Sequence, residues 1–388
     1  MKFWKQTIEA VKDFDGTSPP SIFVGSSNYP KVFMGILSPP VKRPDADMLD
    51  SPEKWYAAQA TIEQILGYRS EMIYSRFETD IKPTQSTQSK LIEIMQEVAI
   101  NKNPTELEVK LQKSPIFKFN LDMHTTPIGN PAPLRQARVT SNVSGGKHVE
   151  YVVSDVDYKA VAAISNLYKY GIPVSRLQKM MSAGLLGMKI ERKFVPTRWG
   201  ITAIDDVIGK MLREEIKDCK IIDSIRLFSN EYIGNKYFVL LVPDAYQYEL
   251  VEIWNLEGMQ SISADYEPYD GRKTYASTTA GAFYAGRLAA TEYLRKIKRQ
   301  ASILIVREVS KEYSVPMGIW QMRETVRGAF AKKSENFSTI KEALQSVNGK
   351  LASGNKWIQR SKLLKILNQQ TKVTQFGLNL ESKNENKN

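Results

Sequence analysis

The chain has 388 residues, 42% of them hydrophobic and 25% charged, which suits two or three domains with packed cores and excludes a wholly disordered polypeptide. Its net charge of +12 sits at one end: residues 287–388 carry 20 basic and 8 acidic side chains, while residues 1–286 carry 34 of each. A surface for a polyanion such as nucleic acid therefore belongs to the C-terminal quarter.

Cys219 is the sole cysteine and His124 and His148 are the only histidines, so neither an intrachain disulfide nor a Cys-rich zinc site can form. No apolar run approaches the ~20 residues of a membrane helix. The opening MKFWKQTIEAVKDFDG lacks the apolar stretch of a secretory signal. A cytoplasmic, nucleoid-associated location with no membrane contact is expected.

Residues 1–13 read as a short amphipathic helix. In GTSPPSIFVGSSNYPKVFMGILSPP (16–40), apolar runs at 22–24 and 32–37 predict two strands joined by a Gly-Ser-Asn-Pro loop. Ser51 as N-cap, Pro52 as N1 and Glu53 in the first turn start a helix reaching about Tyr68. Further helices are expected at 70–77, 87–100 and 104–112, with a polar loop at 83–89. Segment 113–147 is rich in Pro, Gly, Ser and Asn. HVEYVV (148–153) reads as a strand, and helices follow over 158–170 and 176–186. RKFVPTRWGITAIDD (192–206) is a loop leading into a helix over 205–217. Strands are expected at 221–229, 236–242, 247–254 and near 260–264, a long helix at 277–300 and a strand at 301–310. Helices at 319–331, 338–347 and 355–368 precede a polar tail. This mixed order predicts an α+β fold: a mixed-strand body over 1–275, a basic and mostly helical region over 276–368, and a peptide with tail over 369–388.

Four stretches carry chemistry. In VGSSNYP (24–30), the small residues Gly25, Ser26, Ser27 and Asn28 can present backbone amides to a phosphate, although no Gly-Lys-Ser/Thr follows and a plain hairpin turn is the simpler reading. In YRSEMIYSR (68–76), Arg69 and Arg76 are seven apart, so a continuous helix would set two guanidinium groups on one phosphate-clamping face. Glu71 and Glu78 can neutralise them, and a solvated face is the simpler reading. In VPTRWGITAIDD (195–206), Arg198 beside Trp199 pairs a cation with a stacking platform suited to a nucleotide. Asp205 and Asp206, with Asp155 and Asp157 upstream, can hold Mg²⁺ for phosphodiester hydrolysis. Adjacent carboxylates on a helix diverge by about 100°, however, and Asp205 reads more simply as a residue of a helix N-terminus. No Ser-His-Asp or Cys-His order emerges, so His124 and His148 read as ordinary polar residues, and catalytic residues and catalysis itself stay open. No cofactor or metal is expected outside the Mg²⁺ reading.

The fourth stretch is QTKVTQFG (370–377). Gln370, Val373 and Phe376 are spaced by three, so one 3₁₀ turn aligns an apolar plug with an amide at its rim. A last strand or turn packed on the body is the competing reading.

Together, PPSIFVGSSNYPKVFMGILSPP (19–40), DSPEKWY (50–56), YRSE (68–71), VEYVVSDVDYKAV (149–161), LQKMMSAGLLG (177–187), RKFVPTRWGITAIDD (192–206) and SKLLKILNQQTKVTQF (361–376) resemble the archaeal Nre family of DNA-repair proteins, in an NreA-like form without the N-terminal zinc element that some members carry. RKFVPTRWGITAIDD is the most specific of these. The resemblance implies repair of DNA damage and docking on the archaeal sliding clamp through a C-terminal clamp-interacting peptide. In that peptide Gln370, Val373 and Phe376 match the family pattern and Gly377 departs from it, because a second aromatic is missing. One absent ring forfeits about 1–3 kcal/mol of apolar burial, so weaker clamp binding is expected.

Two functions follow. One is a repair factor tethered to the clamp by its peptide, with salt-sensitive DNA contact. The other is a metal-dependent nuclease or nucleotide-processing enzyme built from the Gly-Ser loop, Arg198 and the four carboxylates. Geometry separates them: the enzyme needs residues 25–29, Arg198 and Asp205 in one pocket.

Overall fold

The strands build two six-stranded sheets. The computed structural model describes residues 8–82, 89–256 and 259–369. The chain begins with β1 (Asp13–Ser18), β2 (Ile22–Val24) and β3 (Lys31–Ser38), then α1 (Pro52–Ala57), α2 (Ile62–Ser70), β4 (Ile73–Asp80), α3 (Ser89–Ile100) and β5 (Thr105–Leu111). A small hairpin, β6 (Phe119–Asn120) and β7 (Ile128–Gly129), precedes β8 (Pro131–Val139). The first sheet runs β1-β5-β8-β4-β3-β2, with β4 and β8 parallel and the other neighbours antiparallel.

Helices α4 (Lys147–Ser154), α5 (Ala160–Lys169), α6 (Val174–Ser182) and α7 (Thr197–Lys217) follow. Val32, Met34 and Ile36 of β3, with Leu107 and Val109 of β5, share a core with Met95 and Val98 of α3 and Leu177 and Met180 of α6. Period-two alternation turns Phe33, Tyr74 and Arg76 to the other side of this sheet. Gly35 lets β3 and β4 approach closely there, since a Cβ at that position would meet the Ser75 carbonyl at 2.0 Å.

The second sheet comprises β9 (Ile225–Tyr232), β10 (Asn235–Val242), β11 (Gln247–Leu256), β12 (Met259–Glu267), β13 (Ser302–Val309) and β14 (Glu335–Phe337). Its order is β12-β11-β13-β10-β9-β14. Between and after these strands come α8 (Ala280–Ile297), α9 (Trp320–Phe330), α10 (Ile340–Lys350) and α11 (Lys362–Gln369). Tyr237, Val239, Leu250 and Ile305 pack under Phe283, Met322 and Val326 on one face. Phe238, Leu240, Leu304 and Val306 pack under Val347, Trp357 and Leu363 on the other. Helices on both faces explain why every side chain of β13 is buried. β13 pairs parallel with β11 and antiparallel with β10, so residues on both sides of 275 share one sheet. The fold is α+β, as the mixed order of elements predicts.

Several expected elements differ. The helix at 104–112 is β5: Thr105, Leu107, Val109 and Leu111 are buried and their neighbours are not, a period of two. The strand at 148–153 is α4, which buries Val149 and Val152, three apart. The helix at 70–77 is the end of α2 followed by β4. α2 has its own start, a capping box between Thr61 and Gln64, so the helix begun at Pro52 does not continue to Tyr68. Residues 370–388, which include Gln370, Val373, Phe376 and Gly377, lie outside the described residues. Among the described residues no helix is long and apolar enough to cross a membrane.

Candidate nucleotide-binding cleft

The Gly-Ser loop joins β2 to β3, so its turn character is real. Two of its leading amides are already engaged: Val24 N–H donates to the Thr197 hydroxyl at 2.9 Å, and Gly25 N–H donates to the Phe33 carbonyl at 2.8 Å. An amide cradle for phosphate can therefore begin only at Ser26. The Val24 bond ties the loop to the first turn of α7, which starts at Thr197 rather than at 205. That start carries Arg198 and Trp199 on the helix, and the Trp199 ring meets Tyr29 edge-on at 5.0 Å.

These elements wall a cleft of about 350 Å³. Gly25, Ser26, Ser27 and Arg198 border it, and Phe23, Phe33, Tyr74 and Arg76 line it from the sheet. The Arg76 guanidinium lies 4.3 Å from the Phe33 ring centroid, a cation–π contact. Tyr74 donates its hydroxyl hydrogen to the Phe33 carbonyl at 3.0 Å, and burial pushes that phenol well above its ordinary range.

The opposite wall comes from the segment around β6 and β7, with Lys118, Asn120, Asp122 and Thr125. The His124 amide donates to Asp122 Oδ1 at 2.7 Å, and Arg198 Nη1 lies 3.5 Å from Asp122 Oδ2. Hydrogen bonding to His124, aided by the Arg198 charge, brings the Asp122 carboxyl down to about 2 against the cost of burial. Asp122 is thus ionised and engaged, against the three cations Arg76, Lys118 and Arg198.

A second groove of about 570 Å³ adjoins the cleft, with Arg198 in the lining of both and His124 in the lining of the groove. Trp199, Tyr275 and Tyr284 contribute its aromatic surface, and Tyr275 stacks on Tyr284 at 5.4 Å. Asp206 reaches this groove but is already paired, through Oδ1 with Arg287 at 2.6 Å and through Oδ2 with Lys210 at 2.7 Å.

Not every sequence candidate comes here. Arg69 and Arg76 share no helix face, because one ends α2 and the other lies in β4. Arg69 is 1% exposed and pairs with Asp50 at 2.8 Å, with Lys179 on the same carboxylate at 2.9 Å. No phosphate can reach it. Asp205 is 0% exposed and sits in the third turn of α7, away from the helix N-terminus expected for it. Both its oxygens accept from Arg323 at 2.8 Å; burial pushes this carboxyl up while Arg323 opposes the shift. Asp155 and Asp157 close the end of α4, where Asp155 Oδ1 accepts from the Asp157 amide, and neither lines the cleft. The four carboxylates therefore do not share a site, and no group of three or more potential metal ligands occurs among the described residues. The loop and Arg198 meet, but Asp205 does not join them.

His124 lines the groove, while its chain neighbours Asp122 and Thr125 line the cleft. His148 meets the plain expectation, hydrogen-bonded to Asn166 at 2.6 Å and stacked on Tyr170. Lys118, Asn120 and Asp122 were not anticipated, although their spacing of two is a strand-like signal visible in KFNLD. Tyr275 and Tyr284 carry no such signal.

The model described as archaeal Nre, N-terminal, matches residues 1–260, and that described as archaeal Nre, C-terminal, matches residues 267–376. The DNA repair protein NreB of Archaeoglobus fulgidus is 38% identical over 372 residues, covering 94% of this chain and 92% of that protein. The DNA repair protein NreA of Haloferax volcanii is 35% identical over 354 residues, covering 89% and 84%. NreA of Archaeoglobus fulgidus is 36% identical over 338 residues, covering 85% and 83%. No solved structure matches the chain significantly.

Proposed function

The chain belongs to the archaeal Nre family, and on that premise we propose that it is a DNA-repair factor whose body contacts DNA and whose C-terminal peptide recruits it to the sliding clamp. Its relatives are named DNA repair proteins, which supports the repair role. The observation that carries the DNA contact is the convergence of the Gly-Ser loop, Arg76 and Arg198 in one cleft with an aromatic floor. Those residues span 173 positions from Gly25 to Arg198, and only the fold unites them. Cations and small-residue loops suit phosphates, and aromatic surfaces suit bases.

The clamp contact rests on Gln370, Val373 and Phe376, and the C-terminal family match runs through Phe376. The tether raises the local concentration of the body at DNA, so modest affinity at each contact suffices. Recruitment of this kind would place the protein at the nucleoid.

The test is binding of the purified protein to the sliding clamp, beside Phe376→Ala and a version ending at Asn368. Loss of binding by both, with unchanged thermal melting, is expected. Retained binding by both removes the peptide from the proposal.

A further inference from the structure

We propose that the cleft and the adjoining groove form one path for single-stranded nucleic acid, holding one unstacked nucleotide in the cleft and its neighbour against Trp199. The inference deepens the DNA contact proposed above and rests on it.

Charge gives the class of ligand. Arg76, Lys118 and Arg198 outnumber the one cleft carboxylate, Asp122, which already bonds the His124 amide. The groove's carboxylate, Asp206, is neutralised by Arg287 and Lys210, so the path holds no free anion to repel a phosphate. Arg198 belongs to both cavities and stands where the phosphate between two successive nucleotides would pass.

Aromatic exposure gives the strand state. Trp199 is 45% exposed, Tyr275 51% and Tyr29 43%, large rings left in water around the groove. In the cleft, the Arg76 guanidinium stacked on Phe33 offers a second planar surface. Bases reach such surfaces only when they are out of the helical stack, as in a single strand or an extruded nucleotide. The cleft's volume of about 350 Å³ falls within the ~300–1,000 Å³ of small-molecule sites, enough for one nucleotide and too little for a duplex.

The experiment is fluorescence anisotropy of the full chain with a labelled oligothymidylate of about 10 nucleotides and, separately, with a duplex. Wild type is compared with Trp199→Ala, Arg76→Gln and the double variant Lys356→Gln/Arg360→Gln in the basic C-terminal region. The single strand is expected to bind more tightly than the duplex, and Trp199→Ala and Arg76→Gln each to weaken it about tenfold with cooperative unfolding retained. Preference for the duplex overturns the proposal. So does wild-type single-strand affinity in both cleft variants, and loss in the Lys356/Arg360 variant alone would then locate the DNA contact there. Binding of neither nucleic acid by wild type overturns it together with the DNA contact itself. Clamp binding by the same proteins is read in parallel, so the recruitment proposal stands or falls separately.

Discussion

The Val24 amide donates a 2.9 Å hydrogen bond to the Thr197 hydroxyl, 173 positions further along the chain. Val24 is 1% exposed, so no water replaces that acceptor. The bond holds the Gly-Ser loop against the turn that carries Arg198 and Trp199. Thr197→Val keeps the shape and removes the acceptor, leaving a buried N–H unsatisfied. A loss of about 1–3 kcal/mol in urea unfolding is expected, with restoration by Thr197→Ser.

The two arginines of YRSEMIYSR should behave oppositely. Arg69→Ala strands the Asp50 carboxylate beside Lys179 and deletes the donor to the Pro127 carbonyl at 2.7 Å. Destabilisation of about 3–5 kcal/mol is expected, as for other broken buried pairs. Arg76→Ala removes a partly exposed side chain with a cation–π contact, and about 1 kcal/mol is expected. Melting temperatures of the two variants check the contrast.

Asp50 also sets an acid limit. Burial pushes its carboxyl up, but Lys179 and Arg69 outweigh that and bring it to about 2, below the ordinary 3.8. A depressed carboxyl stabilises the fold while ionised, so its contribution is complete above about pH 4 and is lost as pH falls through about 2. The shift corresponds to about 2 kcal/mol. Urea unfolding of wild type and Asp50→Asn across this interval should show their stability difference narrowing by that amount.

Asp205 reads as a structural anion. Asp205→Ala leaves Arg323, itself 1% exposed, without its two 2.8 Å acceptor contacts. A loss of about 3–5 kcal/mol is expected, and Asp205→Leu with Arg323→Met should recover much of it. Chemical denaturation of the single and double variants measures both. A double variant no more stable than Asp205→Ala would point to a role for the pair beyond mutual neutralisation.

The sequence was most legible where one local signal dominated. The apolar runs at 22–24 and 32–37 are β2 and β3, and the long helix expected at 277–300 is α8. The loop's small residues and the Arg198–Trp199 pair were visible as chemistry, but their meeting depends on a bond between Val24 and Thr197 that no local pattern contains. Asp205 and Arg69 looked functional because charge is conspicuous in sequence while burial is not. Each has a distant partner, Arg323 and Asp50, that converts it into part of the core. The cleft's second wall was hidden for another reason. Its hairpin strands are two residues each, too short for alternation to stand out from the surrounding loop.

The position of β13 constrains how the protein can be made. Until residues 302–309 leave the ribosome, β10 and β11 have no strand between them and both present open edges. The first two-thirds of the chain, though it contains four of the six strands of that sheet, must wait in an incomplete state during synthesis. A fragment ending near 275 would keep those edges permanently, which makes it a poor unit for expression.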